Sequence, residues 1–354
     1  MIKYFKRLTF GKAEYTKILF ALVFIGMVFV PLIRMFSYMT ADSFRNVIAA
    51  PQFGNAVVHS LVSALLGTIL TVTIAFLLAL CIKRTNIKLK GLFEILFVLP
   101  MLLPSISHGM GLVILLGNNG ILTRLLGLST NIYGLGGIIA GSVLYAFPVA
   151  FLMLSDVLHY EDGSAYEAAA VLGIPKFRQF TAIMLPFLRK PLISVLFSVF
   201  TMIITDYGVP VMVGGNYNTI ATLMYQEAIG QLDFSKGAAY GTFLLIPAVI
   251  AFLVDLMNKD RGNSGYVTRP CAISKNKVLS AVSYVYCGAV SIATILPLFA
   301  FAMLAFTKNY PNDLTFTFDI INIFSNIISS FFSSTFSFAF LLGFYLVVVH
   351  FMTL

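Results

Sequence analysis

Few residues in this chain have the types and spacing to do covalent chemistry. The four histidines, His59, His108, His159 and His350, are scattered without HExxH spacing. Cys81, Cys271 and Cys287 show no CxxC or other paired spacing, so neither a disulfide framework nor a zinc site follows. No serine stands in a GxSxG elbow. No GxxxxGKS or GxxxxGKT run is present to cradle the phosphates of ATP. What remains is a carboxylate and several helix breakers inside apolar runs, together with one polar stretch, YEAAAVLGIPKFRQFTAIMLP, at 166–186.

The carboxylate is Asp206. It lies fifteen residues after Pro191, roughly 22 Å along a helix. In a hydrocarbon core of about 30 Å that is the outer third. Tyr207, Gly208 and Pro210 follow and break the helix. A carboxylate at that depth either shapes a substrate path or outer gate, or is capped by neighbouring hydroxyls for packing. VLPMLLPSISHGMG at 98–111 places Pro100, Pro104, Gly109 and Gly111 inside one apolar run. Proline removes a backbone donor, and in lipid the freed carbonyls need a neighbour or a water-lined cavity. That break is either part of a translocation path or a kink in a bundle. His59 and His108 are expected to pack, and Glu94 to pair with Lys88 or Lys90.

These residues need elements to position them. The chain of 354 residues is 59% hydrophobic and 10% charged, against about a quarter charged for a soluble domain. Its apolar residues come in runs long enough to span a bilayer. The expected fold is therefore all-α, a polytopic membrane protein with about eight transmembrane helices. The spans lie near 17–38, 55–82, 91–116, 134–158, 190–213, 237–258, 279–306 and 327–351. The first lacks a small-residue cleavage site and reads as a retained helix.

Eighteen of the 23 basic residues fall in four segments, 1–17, 83–90, 159–190 and 259–277, on alternate sides of successive spans. The positive-inside rule makes that side cytoplasmic and puts the N-terminus and the 166–186 stretch inside, in the inner (plasma) membrane. Each cluster is short and abuts a span. The net charge of +9 therefore reads as topology, and no nucleic-acid partner is expected.

The chain also starts again after residue 270. VSIATILPLFAFAML (290–304) echoes LVFIGMVFVPLIRMF (22–36), with Pro297-Leu298 matching Pro31-Leu32. FSNIISS (324–330) echoes FGNAVVHS (53–60), with Phe324 and Asn326 matching Phe53 and Asn55. The offset is nearly the same for both, which suggests a parallel duplication. Four regions result: 1–54, an N-terminal segment with the first span and an outer loop; 55–258, a core containing the loop 159–190; 259–277, a polar linker; and 278–354, the start of a second, truncated unit.

The polar stretch has its own local logic. Ser164 and Glu167 stand at capping-box spacing. A short helix over Ala165–Leu172 follows, ended by Gly173 in the left-handed position. Pro175 suits the first turn of a second helix, from about Lys176 to Met184, that ends before Pro186. Helices this short are marginal in water. They need a surface, offered by Ala168 and Ala169 for close approach and by Leu172, Ile174, Phe177, Phe180 and Ile183 for apolar contact. Either the membrane helices supply all of that surface, or a partner's groove supplies some.

The pattern Glu167-Ala168-Ala169, then Gly173, then Ile183, then Leu185-Pro186 resembles the EAA loop of binding-protein-dependent ABC importer permeases, at the family spacing throughout. TDYGVPVMVGG (205–215) and LDFSKGAAYGTFLLIPA (232–248) look most like permeases of the ferric-iron, thiamine and 2-aminoethylphosphonate group. The resemblance implies one six-helix type I permease unit plus a partial second. It implies that the loop docks on a cytoplasmic ATP-binding subunit, which hydrolyses the ATP, so that this chain binds no cofactor and is not itself an enzyme. It further implies an extracytoplasmic substrate-binding protein, a second permease unit on the same or another chain, and ferric iron or a phosphonate as cargo. Without the resemblance, an ion-coupled secondary transporter using Asp206 and the broken third span, or a truncated non-functional fragment, stays open.

Overall fold

The structure, a computed structural model, describes residues 12–127, 131–258, 269–304, 306–309 and 313–317. In chain order its helices are α1 (Lys12–Tyr38), α2 (Ala41–Ala49), α3 (Phe53–Arg84), α4 (Lys90–Val98), α5 (Ser105–Leu116), α6 (Ile121–Leu126), α7 (Leu135–His159), α8 (Ser164–Val171), α9 (Lys176–Gln179), α10 (Leu185–Thr205), α11 (Gly208–Val213), α12 (Ile220–Tyr225), α13 (Phe234–Asn258) and α14 (Lys277–Leu304). One antiparallel hairpin, β1 (Thr307–Asn309) with β2 (Asp313–Phe316), is the departure from an all-α chain among the described residues. Seven helical segments there are long and apolar enough to cross a membrane. Each overlaps one of the first seven expected spans, but the third, expected at 91–116, is Ser105–Leu126, and the fifth, expected at 190–213, is Lys176–Thr205; the eighth, near 327–351, lies outside the described residues.

The core forms where small residues let helices approach. α7 buries Gly137, Gly141, Ser142, Ala146 and Ala150, which recur at four-residue steps with Gly141 and Ser142 adjacent. α3 answers with Ala64, Gly67, Thr68, Thr71 and Ala75. Such stripes replace the hydrophobic drive that lipid removes with close van der Waals packing. α10 completes the core with Val195, Val199, Ile203 and Ile204.

The third span is broken as its prolines demand. α4 ends at Val98, a 3₁₀ turn carries Leu99–Leu102, and α5 starts at Ser105 after Pro104. Glu94 on α4 pairs with Lys83 of α3 at 3.4 Å, not with Lys88 or Lys90 as expected. The pair spans two helices, which local spacing does not reveal.

α1 and α14, the two helices matched by the internal echo, each contain the matched proline, Pro31 and Pro297. Their surroundings differ. α1 packs on α13 alone among its main neighbours, whereas α14 packs on α3, α4 and α5.

Three of the four basic segments meet at one end of the bundle. Thr85 pairs with Ser274, Asp162 pairs with Pro270, and the Asn258 side-chain amide donates to Lys190 O at 2.7 Å.

Candidate functional site

The docking-loop candidate is a helix–glycine–helix. α8 begins at Ser164, and Asp162 does the capping: its carboxylate accepts from Ser164 N at 3.1 Å and from Ser164 Oγ at 2.7 Å. The capping box expected between Ser164 and Glu167 is absent. Glu167 instead accepts from Arg269 Nη1 at 2.8 Å. Arg269 also donates its backbone N–H to Asp162 Oδ1 at 3.2 Å.

The C-terminal end of α8 is a Schellman motif. Ile174 N donates to Ala169 O at 2.9 Å and Gly173 N to Ala170 O at 3.1 Å. Gly173 takes the left-handed backbone this requires, with φ of 69°.

The second helix does not end before Pro186. α9 passes through a π-turn over Phe180–Met184 straight into α10. Proline cannot donate to, and clashes with, the carbonyl four residues back. The wider turn, with Leu185 N bonded to Phe180 O, absorbs that defect and lets the rod continue. Loop and membrane helix are therefore one continuous element.

Burial divides the loop's residues into two sets. Ala169 and Met184 are buried and Ile183 is half-buried, while Glu167, Ala168, Gly173, Leu185 and Pro186 are exposed. Val171, Leu172 and Phe177 are 89%, 75% and 77% exposed. Three large apolar side chains thus stand uncovered around the glycine turn. Phe180 and Leu185 turn the other way and line a cavity of about 310 Å³ with Val72, Phe76 and Leu188, between α3 and α10.

The second candidate lies where two broken spans cross. Asp206 sits in the break between α10 and α11. One carboxylate oxygen accepts from Ser105 Oγ and from Gly208 N, the latter at 3.2 Å; the other accepts from Val209 N at 3.0 Å. The fold thereby brings Asp206 to the start of α5, next to Pro104. The Ser105 hydroxyl fits one of the two readings left open for Asp206; the two amides are additional and make Asp206 the cap of α11. Gly208 is needed there, because a Cβ would meet Ser105 Oγ at 2.4 Å and Ile106 N at 2.7 Å. Tyr207 stacks on Tyr225, ring centroids 4.9 Å apart. Pro100 is buried one turn before Pro104, against α7. His108 is fully buried with Nδ1 3.1 Å from Pro104 O, and His59 stacks on Tyr217 at 3.7 Å; both pack, as expected.

Sequence reasoning passed over four residues at the loop's root: Arg84, Glu161, Tyr166 and Arg269. Glu161 is 2% exposed. The signal available was the adjacent acidic pair Glu161-Asp162 at the start of a segment whose four Lys and Arg residues all come later.

Fold and site together define a polytopic helical membrane protein with an exposed helix–glycine–helix at its basic end. The chain belongs to the family described as the binding-protein-dependent transport system inner membrane component, whose model matches residues 67–259, more than half of the chain. A putative ferric transport system permease protein, FbpB 1 of Haemophilus influenzae, is 30% identical over 57% of this chain and 33% of its own length. The match thus spans about a third of that relative. A probable sulfate transport system permease protein, cysT of Prototheca wickerhamii, is 26% identical over 64% of this chain and 92% of its own. Among solved structures, a bacterial ABC transporter involved in import of the acidic polysaccharide alginate shares the fold, with a TM-score of 0.61 at 17% identity, over 75% of this chain and all of that one.

Proposed function

We propose that this chain is a permease unit of an ATP-driven importer, and that the loop around Gly173 docks into a groove on a cytoplasmic ATP-binding subunit. One observation carries this. Val171, Leu172 and Phe177 are exposed on a structured turn at the basic end of the bundle, where the fold leaves them uncovered. Covering a side chain of that size is worth about 1.5–3 kcal/mol, so a groove that received all three would bind firmly. Glu167, Ala168, Ala169, Gly173, Ile183, Leu185 and Pro186 form the docking element: the first four shape and present the turn, and the last three anchor it to α10.

The basic clusters gathered at this end support a cytoplasmic location for it, with the N-terminus on the same side. ATP is hydrolysed by the partner, and this chain contributes the path. Asp206, Tyr207, Pro100 and Pro104 frame that path where α5 meets α11. An extracytoplasmic binding protein delivers cargo, and a second permease unit completes the pore. The ferric permease relative favours ferric iron over 2-aminoethylphosphonate, which none of the relatives named above supports; the sulfate permease match leaves the cargo to be measured.

The test is co-purification of the chain with ATP-binding subunits co-expressed from the same genome. Wild type is expected to retain one of them and Gly173→Pro to lose it. A wild-type chain that retains nothing, or a Gly173→Pro chain that retains as much, overturns the docking role.

A further inference from the structure

At the root of the loop stands a buried carboxylate that takes no part in the exposed face. Burying a charge is costly unless both its oxygens find donors. Glu161 meets that condition with partners from two other places in the chain. Arg84, at the last turn of α3, donates Nη2 to Glu161 Oε2. Tyr166, in α8, donates its hydroxyl to Glu161 Oε1. The Arg84 guanidinium also lies over the Tyr166 ring, 4.9 Å from its centroid. Burial first, then the Glu161 carboxylate, push the Tyr166 phenol above its ordinary range, so it stays a hydrogen donor.

A third segment closes the cluster. The strand-like run before α14 gives Cys271 Sγ to Glu161 O at 3.4 Å and Ser274 N to Arg84 O at 2.9 Å. α3 and α8 therefore converge on the Glu161 side chain, and this run bonds the backbone carbonyls of Glu161 and Arg84 beside it. α8 itself is only eight residues long and buries Ala169 alone, so its own packing fixes its position weakly.

We propose that Arg84, Glu161 and Tyr166 form a positioning hub that locks α8 to the end of α3, so that a partner displacing α8 moves α3 with it. The coupling half of this rests on the docking reading; the locking half does not. α3 then runs through the core, where Gly67 lies against Ile203 of α10.

Two measurements on Glu161→Gln, Arg84→Gln and Tyr166→Phe test it. The first is amide hydrogen exchange over residues 164–171 in the detergent-solubilised full chain. The first two variants are expected to raise exchange there about tenfold, with α7 unchanged, and Tyr166→Phe to raise it less, since the ring stays under Arg84. Unchanged exchange in all three overturns the hub whether or not any ATPase binds. Should the charge variants fail to fold, Tyr166→Phe decides alone: raised exchange supports the hub and wild-type exchange overturns it.

The second is ATP hydrolysis in the assembled transporter, with and without its binding protein. The variants are expected to retain the ATP-binding subunit yet lose most of the stimulation. Raised exchange with full stimulation overturns the coupling half. Loss of the subunit from wild type would instead sink the docking reading, and the exchange result would still decide the lock.

Discussion

The loop around Gly173 and the junction at Asp206 are both breaks in helical rods, and they are finished in opposite ways. At Asp206 the carboxylate is filled from within, by the Ser105 hydroxyl and the amides of Gly208 and Val209. At the loop the polar groups are also satisfied, but Val171, Leu172 and Phe177 remain outside. A satisfied polar group explains itself by the fold. An uncovered apolar cluster on a built turn calls for a second molecule. The contrast also weakens the secondary-transporter reading, since the carboxylate it would need for an ion is committed to capping α11.

The largest effect expected from this contrast is on association. Leu172→Asp combined with Phe177→Asp removes two anchors that the proposed groove would bury; each such anchor is worth about 2 kcal/mol or more, which is roughly 30-fold in affinity. Binding of the ATP-binding subunit, measured by titration in detergent, should fall at least that far while thermal stability of the chain stays unchanged.

Next comes Asp206→Ala, which strands a hydroxyl and two amides. It should lower stability by about 1–3 kcal/mol, read as a drop in the midpoint of thermal unfolding, and leave ATPase association intact. Asp206→Asn should fall between it and wild type, because the amide oxygen still accepts. If either variant lost the ATPase without losing stability, the two regions would not be separate.

Gly173→Ala forces a Cβ into the left-handed backbone, at about 1 kcal/mol or slightly more. Nothing lies within 4 Å of that Cβ, so the cost is conformational. Association should weaken several-fold. The smallest effect is expected at Glu167→Ala. Its ion pair with Arg269 joins side chains 55% and 66% exposed, and exposed pairs contribute a few tenths of a kcal/mol. A stability loss above about 1 kcal/mol there would show that the pair is shielded from water in the assembled protein.

Much of this was legible in the residues. The apolar runs located α3, α7, α13 and α14 to within a few residues, because a bilayer demands uninterrupted length; α10 ends eight residues before its expected span does, since the apolar run continues past the break at Asp206. Pro100 and Pro104 announced the break before α5, since the missing donors follow from the residue type alone. Gly173 announced the left-handed turn for the same reason. What stayed hidden depended on partners far along the chain. Glu167 looked like a capping residue until Arg269, 102 positions downstream, took it. Asp162, two residues before Ser164, then supplied the cap instead. Pro186 looked like a stop because a local rule ignores the π-turn over Phe180–Met184, which carries the rod past the proline. Ser105 and Asp206 stand 101 positions apart, and only the crossing of two broken spans joins them.

The central claim is that the exposed face around Gly173 is covered by an ATP-binding subunit. The most direct measurement places a photo-cross-linking benzophenone amino acid at Phe177 in the assembled transporter, with Leu66 on the outer face of α3 as the membrane-facing control. The account predicts an adduct between position 177 and the ATP-binding subunit, and lipid adducts alone from position 66. Lipid adducts, or none, from position 177 in a transporter that still hydrolyses ATP in response to its binding protein would contradict it.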